Sequence, residues 1–264
     1  MGSLADWLAL REAADARARS AALLRALADV LTKRTPLRIL DLGTGTGSNI
    51  RYLAPRLPRG QEWLAVDRDA ELLSRIMPPV PDCRVETRQR NLGTLDRDLF
   101  ADRDLVTASA LLDLVSPSWI DSLARHCADA RAAALFALTY DGHSRCEPAE
   151  PEDEWIRELM NRHQRQNDKG FGRAAGPDAI DAAARAFASV GYDVRRERTD
   201  WRLAPDDREF QRQLVEGWAD AALDVEPDRA RSVRDWLARR RAHIENDRSR
   251  ISVGHEDLIA WHLM

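Results

Sequence analysis

The sequence predicts a doubly wound α/β fold built around one mostly parallel β-sheet. Short apolar runs alternate with helical patterns along the first half of the chain, the rhythm of a parallel sheet with crossover helices. One run, Leu37-Arg38-Ile39-Leu40-Asp41-Leu42, passes straight into Gly43-Thr44-Gly45-Thr46-Gly47 and then into another helical pattern. Residues 132–139 are nearly all apolar, as expected of a strand covered on both faces.

The elements follow in order. Leu8, Ala14, Leu23, Leu24, Leu27, Val30 and Leu31 recur at helical spacing, so residues 4–32 read as a helix that Pro36 closes. Strand 37–42 leads to a helix at 49–57, stopped by Pro58; strand 62–66 leads to a helix at 70–77, ahead of Pro78-Pro79. A third strand at 83–87, a fourth at 104–108, a helix at 117–128 and a fifth strand at 132–139 complete the alternation. Residues 141–176 break it: they are polar, carry Gly142, Gly170, Gly172 and Gly176, and hold one helix near 155–165. A connection of that length inside a domain reads as a lid or binding loop. Beyond it come a helix at 177–189, a strand at 193–203, helices at 208–223 and 227–246, and a closing strand at 257–263. The chain, 1–264, therefore reads as a single domain with a helical cap at 1–34, a lid at 141–176 and a helical insertion at 205–250.

Composition narrows the function classes. With 264 residues, 44% of them hydrophobic, the chain can bury a sizeable core, and general disorder is excluded. The formal net charge of −4 disfavours broad binding to nucleic acid or anionic membrane. Cys83, Cys127 and Cys146 are odd in number and widely spaced, which suggests neither a disulfide framework nor a zinc site and fits a reducing cytoplasm. No apolar run approaches membrane-spanning length, and Asp6, Arg11, Glu12, Asp15 and Arg17 leave no apolar leader segment. The arginines at 229, 231, 234, 239, 240 and 241 interleave with Asp228, Asp235 and Glu245; an amphipathic helix with a charged face accounts for them better than an RNA surface.

The glycine turn carries the chemistry. Glycine allows a sharp turn and lets a ligand lie against the main chain without a Cβ between them, and the carboxyl edge of such a sheet is where open α/β folds bind ligands. A dinucleotide fingerprint needs Gly-x-Gly-x-x-Gly; here the third glycine comes one place early and Ser48 takes the expected position. Asp67 ends the second strand 20 residues past Gly47, where its carboxylate can accept both hydroxyls of an adenosine ribose or merely cap the strand end.

On Asp41, the three glycines, Asp67 and the order of strands, the sequence resembles the class I S-adenosylmethionine (SAM)-dependent methyltransferases over nearly its whole length. The resemblance implies a Rossmann-like sheet of seven strands with an antiparallel last strand, and SAM as cofactor. It implies that Asp41, Gly43, Thr44, Gly45 and Gly47 border the methionine part of SAM, that Asp67 holds the ribose and that Arg68 lies near adenine. Asn91, with the Leu92 backbone N–H, matches the position that receives the adenine amine, and Ser109 and Ala110 match the floor under the methionine moiety. Asn49, in the first turn of its helix, could reach the amino-acid end of SAM, and Arg19 could bind its carboxylate or be an ordinary surface arginine.

The acceptor side is sparsely marked. The Asn-Pro-Pro-Tyr type loop of amino methyltransferases is absent, since the corresponding stretch reads Ala108-Ser109-Ala110-Leu111-Leu112-Asp113, and no cysteine adjoins it for cytosine-carbon methylation. Tyr140 and His143 at the tip of the fifth strand, with His163 in the lid, are the candidate acid–base groups, because histidine titrates near neutrality; loop histidines in water are the plain alternative. No metal set is expected: His143, Cys146 and Glu147 lack the pairing of real sites. The reading is methyl transfer to oxygen or nitrogen of a small polar acceptor by a cytoplasmic enzyme, with no membrane partner and nucleic acid disfavoured. An RNA or protein methyltransferase and a non-catalytic SAM-binding protein stay open as alternatives.

Overall fold

A computed structural model describes residues 3–32, 34–166 and 168–262. Its strands are β1 (Leu37–Leu42), β2 (Gln61–Asp67), β3 (Cys83–Gln89), β4 (Leu105–Ser109), β5 (Ala133–Glu147), β6 (Tyr192–Arg198), β7 (Trp201–Leu203) and β8 (Arg250–His262). They form one sheet in the order β3-β2-β1-β4-β5-β8-β6, with β7 beside β8. From β3 to β5 all pairings are parallel, while β8 runs antiparallel to β5, β6 and β7. The strand order reverses between β1 and β4, and ligands bind open α/β sheets in the crevice at that switch point. This is the Rossmann-like sheet expected, with the short β7 added to the seven-strand path.

Leu40, Leu42, Val106 and Phe136 are buried on one side of the sheet with α6 (Pro117–Ala130) and α8 (Ala179–Ser189). On the other side Ile39, Ala65 and Leu135 meet α2 (Ala21–Leu31) and α3 (Ser48–Leu53). A separate apolar cluster joins α7 (Asp153–Gln166), α9 (Arg208–Val225) and α10 (Ala230–Glu245) to the distal halves of β5 and β8. The arginines of α10 serve this packing: Arg239 pairs with Glu150 and Glu152, Arg241 with Glu216, and the fully buried Arg240 with Asp153.

Several expected boundaries move. The helix expected over 4–32 is two helices, α1 (Leu4–Ala18) and α2, because Ser20 turns out of the helical path and its hydroxyl caps α2 through Leu23 N, at 3.0 Å. Buried Asp257 of β8 fixes that junction, accepting from Ser20 N at 3.0 Å and from Leu138 N at 2.8 Å. The helix expected at 49–57 is α3 followed by a 3₁₀ turn at 54–56, and that expected at 70–77 is only α4 (Ala70–Leu73). The strand expected at 193–203 divides into β6 and β7, and the last strand starts at Arg250, with the expected end at Leu263 outside the described residues.

The segment expected to be a lid changes most. Residues 141–147 continue β5, with 144–147 paired to β8 after an irregularity at 141–143, and α7 packs on α9. The short link at 148–152 and the turn after α7 stand apart from regular structure; in the latter Asp168 Oδ1 accepts the backbone N–H groups of Gly170, Phe171 and Gly172 at 2.8–3.1 Å.

Candidate active site

β1 delivers Asp41 and Leu42 to the carboxyl edge, and the chain then reverses through Gly43, Gly45 and Gly47, all at positive φ (64°, 55° and 82°). Thr44 N donates to Val66 O at 3.1 Å, tying the turn to β2. A Cβ on Gly45 would lie 3.0 Å from Leu8 Cδ1, so α1 rests directly on the turn. That leaves bare backbone facing a ligand, in a conformation other residues rarely adopt.

Behind the turn lies a buried polar chain. Asp41 is fully buried; Thr44 Oγ1 donates to its Oδ2 and Asn49 Nδ2 to its Oδ1, each at 2.6 Å. Arg19 Nη1 donates to Asn49 Oδ1 at 2.9 Å. The Arg19 Nε is buried without a hydrogen-bond partner, at 3.5 Å from Asp257 Oδ2, and the guanidinium lies over the Tyr52 ring at 4.7 Å. Burial pushes the Asp41 carboxyl up to about 6, against the pull of the Thr44 and Asn49 hydrogen bonds and of Arg19. Two of the weaker sequence candidates, Arg19 and Asn49, thus belong to one network with Asp41.

Asp67 closes β2 on the far side of the turn. Its Oδ2 accepts from Gly45 N at 2.8 Å and its Oδ1 from Asp69 N at 3.0 Å, which fixes the carboxylate while leaving each oxygen further lone-pair capacity. Asp41, Gly43, Thr44, Gly45, Asn49, Asp67, Arg68, Leu92, Ser109 and Ala110 all line one cleft. Gly47 supports the turn from behind, a Cβ there meeting Ile76 at 3.2 Å. Arg19 lines an adjoining recess together with Ser48, Asn49 and Ser109. Asn91 is exposed and off the cleft wall, its Oδ1 accepting from Gly93 N at 2.8 Å, so its side chain folds onto its own turn.

Two further walls of this cleft come from the elements expected to enclose an acceptor, the N-terminal helix and the 141–176 segment, though the individual residues were not singled out as lining. One is a face of α1, where Leu4, Leu8, Arg11 and Asp15 succeed one another at helical spacing. The other is the turn at Lys169 and Phe171. It sits on the adenine side of the turn predicted for SAM: the Gly170 carbonyl would be 2.4 Å from a Cβ on Gly93, and the Phe171 ring meets Trp119 edge-on at 6.1 Å. Trp119 Nε1 in turn donates to Leu92 O at 2.6 Å. Asp113 is buried close by in sequence, its Oδ1 without a hydrogen-bond partner and its carboxyl pushed up to about 6 by desolvation.

The three acid–base candidates lie off the cleft walls. Tyr140 is buried and donates its hydroxyl to Asn161 Oδ1 at 2.8 Å; burial raises its pKa. His143 is exposed on the continuation of β5, with Nδ1 3.2 Å from Asp141. His163 of α7 pairs with Asp224 at 3.3 Å. β5 runs on to Glu147 rather than ending at 139, so Tyr140 and His143 lie within the strand, and His163 lies beyond it on α7. Among the described residues no cluster of His, Cys, Asp and Glu is suited to a metal, and no helix is long and apolar enough to cross a membrane.

Residues 39–132, which hold the glycine turn, Asp67 and β4, match the family model described as a methyltransferase domain. No functionally curated protein matches the sequence. Among solved structures, a SAM-dependent methyltransferase from Geobacter sulfurreducens bound to S-adenosylhomocysteine is 17% identical, with 98% of this chain and 99% of that one covered and a TM-score of 0.46. A cyclopropane synthase from Mycobacterium tuberculosis is 11% identical, covering 90% of this chain and 83% of that one, with a TM-score of 0.45. A phosphoethanolamine N-methyltransferase from Haemonchus contortus is 15% identical, covering all of this chain and 61% of that one, with a TM-score of 0.44. The matched stretch, 39–132, holds a methyltransferase domain, and the sheet around it has the Rossmann-like order. The glycine turn and Asp67 within it support SAM as the cofactor.

The residues fit that cofactor. Gly45 leaves a cradle that a Cβ would fill, Asp67 is pinned with acceptor capacity to spare, and Arg19, whose Nη1 holds Asn49, lines the adjoining recess.

Proposed function

We propose that this enzyme methylates oxygen or nitrogen of a small polar molecule in the cytoplasm. The observation that carries the reading is the placement of α1: its Leu4–Asp15 face rests on the glycine turn and lines the same cleft as Ser109, Ala110 and Leu111. A wall built of the chain's own helix suits a small guest better than a polymer lying in an open groove. Bound SAM supplies a methyl group already activated on a sulfonium, so the protein's work is alignment and exclusion of water. In this reading Asp41, with Thr44 and Asn49, orients the amino-acid end of the cofactor, Asp67 the ribose, and Leu92 with Phe171 flank the adenine. Leu8, Leu111 and Leu114 keep the reacting region dry. Alignment of this kind lowers a barrier by roughly 7–11 kcal/mol. The proposal assigns no proton transfer to Tyr140, His143 or His163.

Release of S-adenosylhomocysteine, measured against panels of small polar acceptors and of RNA and protein, tests the reading. Turnover is expected with a small acceptor and little dependence on salt. Turnover confined to polymers, with the steep salt dependence of polyanion binding, would overturn it.

A further inference from the structure

The cleft carries an imbalance. Each acidic side chain that lines it already takes protein donors. Asp41 takes Thr44 and Asn49, Asp67 two backbone N–H groups, and Asp69 the N–H groups of Glu71 and Leu72. Asp15 accepts from Arg11 Nε on Oδ2 and from Trp201 Nε1 on Oδ1, both at 2.9 Å. The lining cations are differently placed. Arg11 engages only its Nε, and among the described residues neither of its Nη groups has a hydrogen-bond partner.

Arg11 is also held still. Asp15 clamps it one turn along α1, its side chain is only 13% exposed, and its guanidinium lies over the Trp201 ring at 5.0 Å. Trp201 is itself fixed by the same carboxylate. A guanidinium anchored through Nε and one face presents its two Nη groups as a planar fork, the geometry that grips a carboxylate through two parallel hydrogen bonds. Arg68, Arg90 and Lys169 line the same cleft, and Leu4, Leu8, Leu111, Leu114 and Phe171 supply its apolar surface. The sulfonium of a bound cofactor adds positive charge to the same space, which favours an anionic guest further.

We propose that the methyl acceptor is a small organic acid with an apolar body, and that Arg11 holds its carboxylate. The inference deepens the small-acceptor reading and rests on it. Arg11 is a specificity-determining residue here; the methionine carboxylate of SAM belongs to Arg19, in the neighbouring recess.

The test uses the full chain saturated with S-adenosylhomocysteine, titrated with benzoate and with benzamide, which share a ring and differ in charge. Wild type is expected to prefer benzoate by about tenfold or more, Arg11→Lys to keep part of that preference and Arg11→Gln to lose it, with SAM affinity within about threefold of wild type in both variants. That unchanged SAM affinity also reports that the variants are folded. A wild type that favours benzamide, treats the two alike or binds neither overturns the assignment. So does an Arg11→Gln variant that keeps the preference, or one that stays folded by thermal melting but no longer binds SAM, which would place Arg11 on the cofactor. Failure of wild type to bind SAM would instead sink the underlying methyltransferase reading.

Discussion

SAM affinity should fall as the solution is acidified, and Asp41 should be the cause. The carboxyl is fully buried and raised to about 6 by desolvation, with Thr44, Asn49 and Arg19 opposing the shift and the nearby Asp67 adding to it. A native carboxyl raised above its unfolded value near 3.8 holds the extra proton between those values. The free protein therefore gains stability from this group as pH falls from about 6 toward about 4. In the proposed site SAM would respond oppositely, because its ammonium would be held by the ionised form. Below about pH 6 each unit of acidification should cost roughly tenfold in affinity, or about 1.4 kcal/mol, while above about pH 7 the affinity should be level. Calorimetric titration across about pH 5 to about pH 8, repeated in buffers of different ionisation heat, reads both the slope and the proton taken up on binding. Asp41→Asn should bind more weakly at neutral pH and show a flat profile, which separates Asp41 from Asp113, raised into the same range. A level wild-type profile, or an unchanged slope in the variant, would refute the reasoning.

Other consequences can be checked on the same material. Arg240→Ala strands the Asp153 carboxylate that Arg240 and Trp236 Nε1 now satisfy; chemical denaturation should show a loss of about 3–5 kcal/mol, with SAM affinity within about threefold of wild type. An unchanged denaturation midpoint would remove this pair from the account of the helical insertion. In hydrogen exchange, residues 144–147 should be protected like the rest of the sheet, because they pair with β8. The turn at 168–172 should exchange quickly alone and more slowly with SAM, since Lys169 and Phe171 line the cleft. Protection of that turn indifferent to SAM would argue that it never closes on the cofactor.

The central half of the fold was legible because its signals are local. β1, β2, β4 and β5 each carry a short apolar run, and after β1 the acid and the glycine turn follow within a few residues. Asp41, Asn49 and Asp67 could be picked out for the same reason. What escaped depends on distant partners. The polar stretch at 141–147 is a strand only because β8 lies beside it, and the alternation along it is weak because the helical insertion covers one face unevenly. The break at Arg19–Ser20 is dictated by Asp257 and Glu197, far along the chain. Arg11 and Asp15 look like any solvated i, i+4 pair until Trp201 and the glycine turn close around them. Asn91 shows a local competitor: its residue type suits an adenine contact, and in the structure its side chain accepts from the nearby Gly93 N.

One titration bears most directly on the claim that the glycine turn and Asp67 form the cofactor site. SAM, S-adenosylhomocysteine and NAD are titrated into wild type and Asp67→Ala, a change at a half-buried strand end that the core should tolerate. The structure predicts one site for the first two ligands and none for NAD, with SAM about 10–100-fold weaker in the variant, the value of roughly 1.5–3 kcal/mol for charged hydrogen bonds. Tight NAD binding, or wild-type SAM affinity in Asp67→Ala, would contradict it.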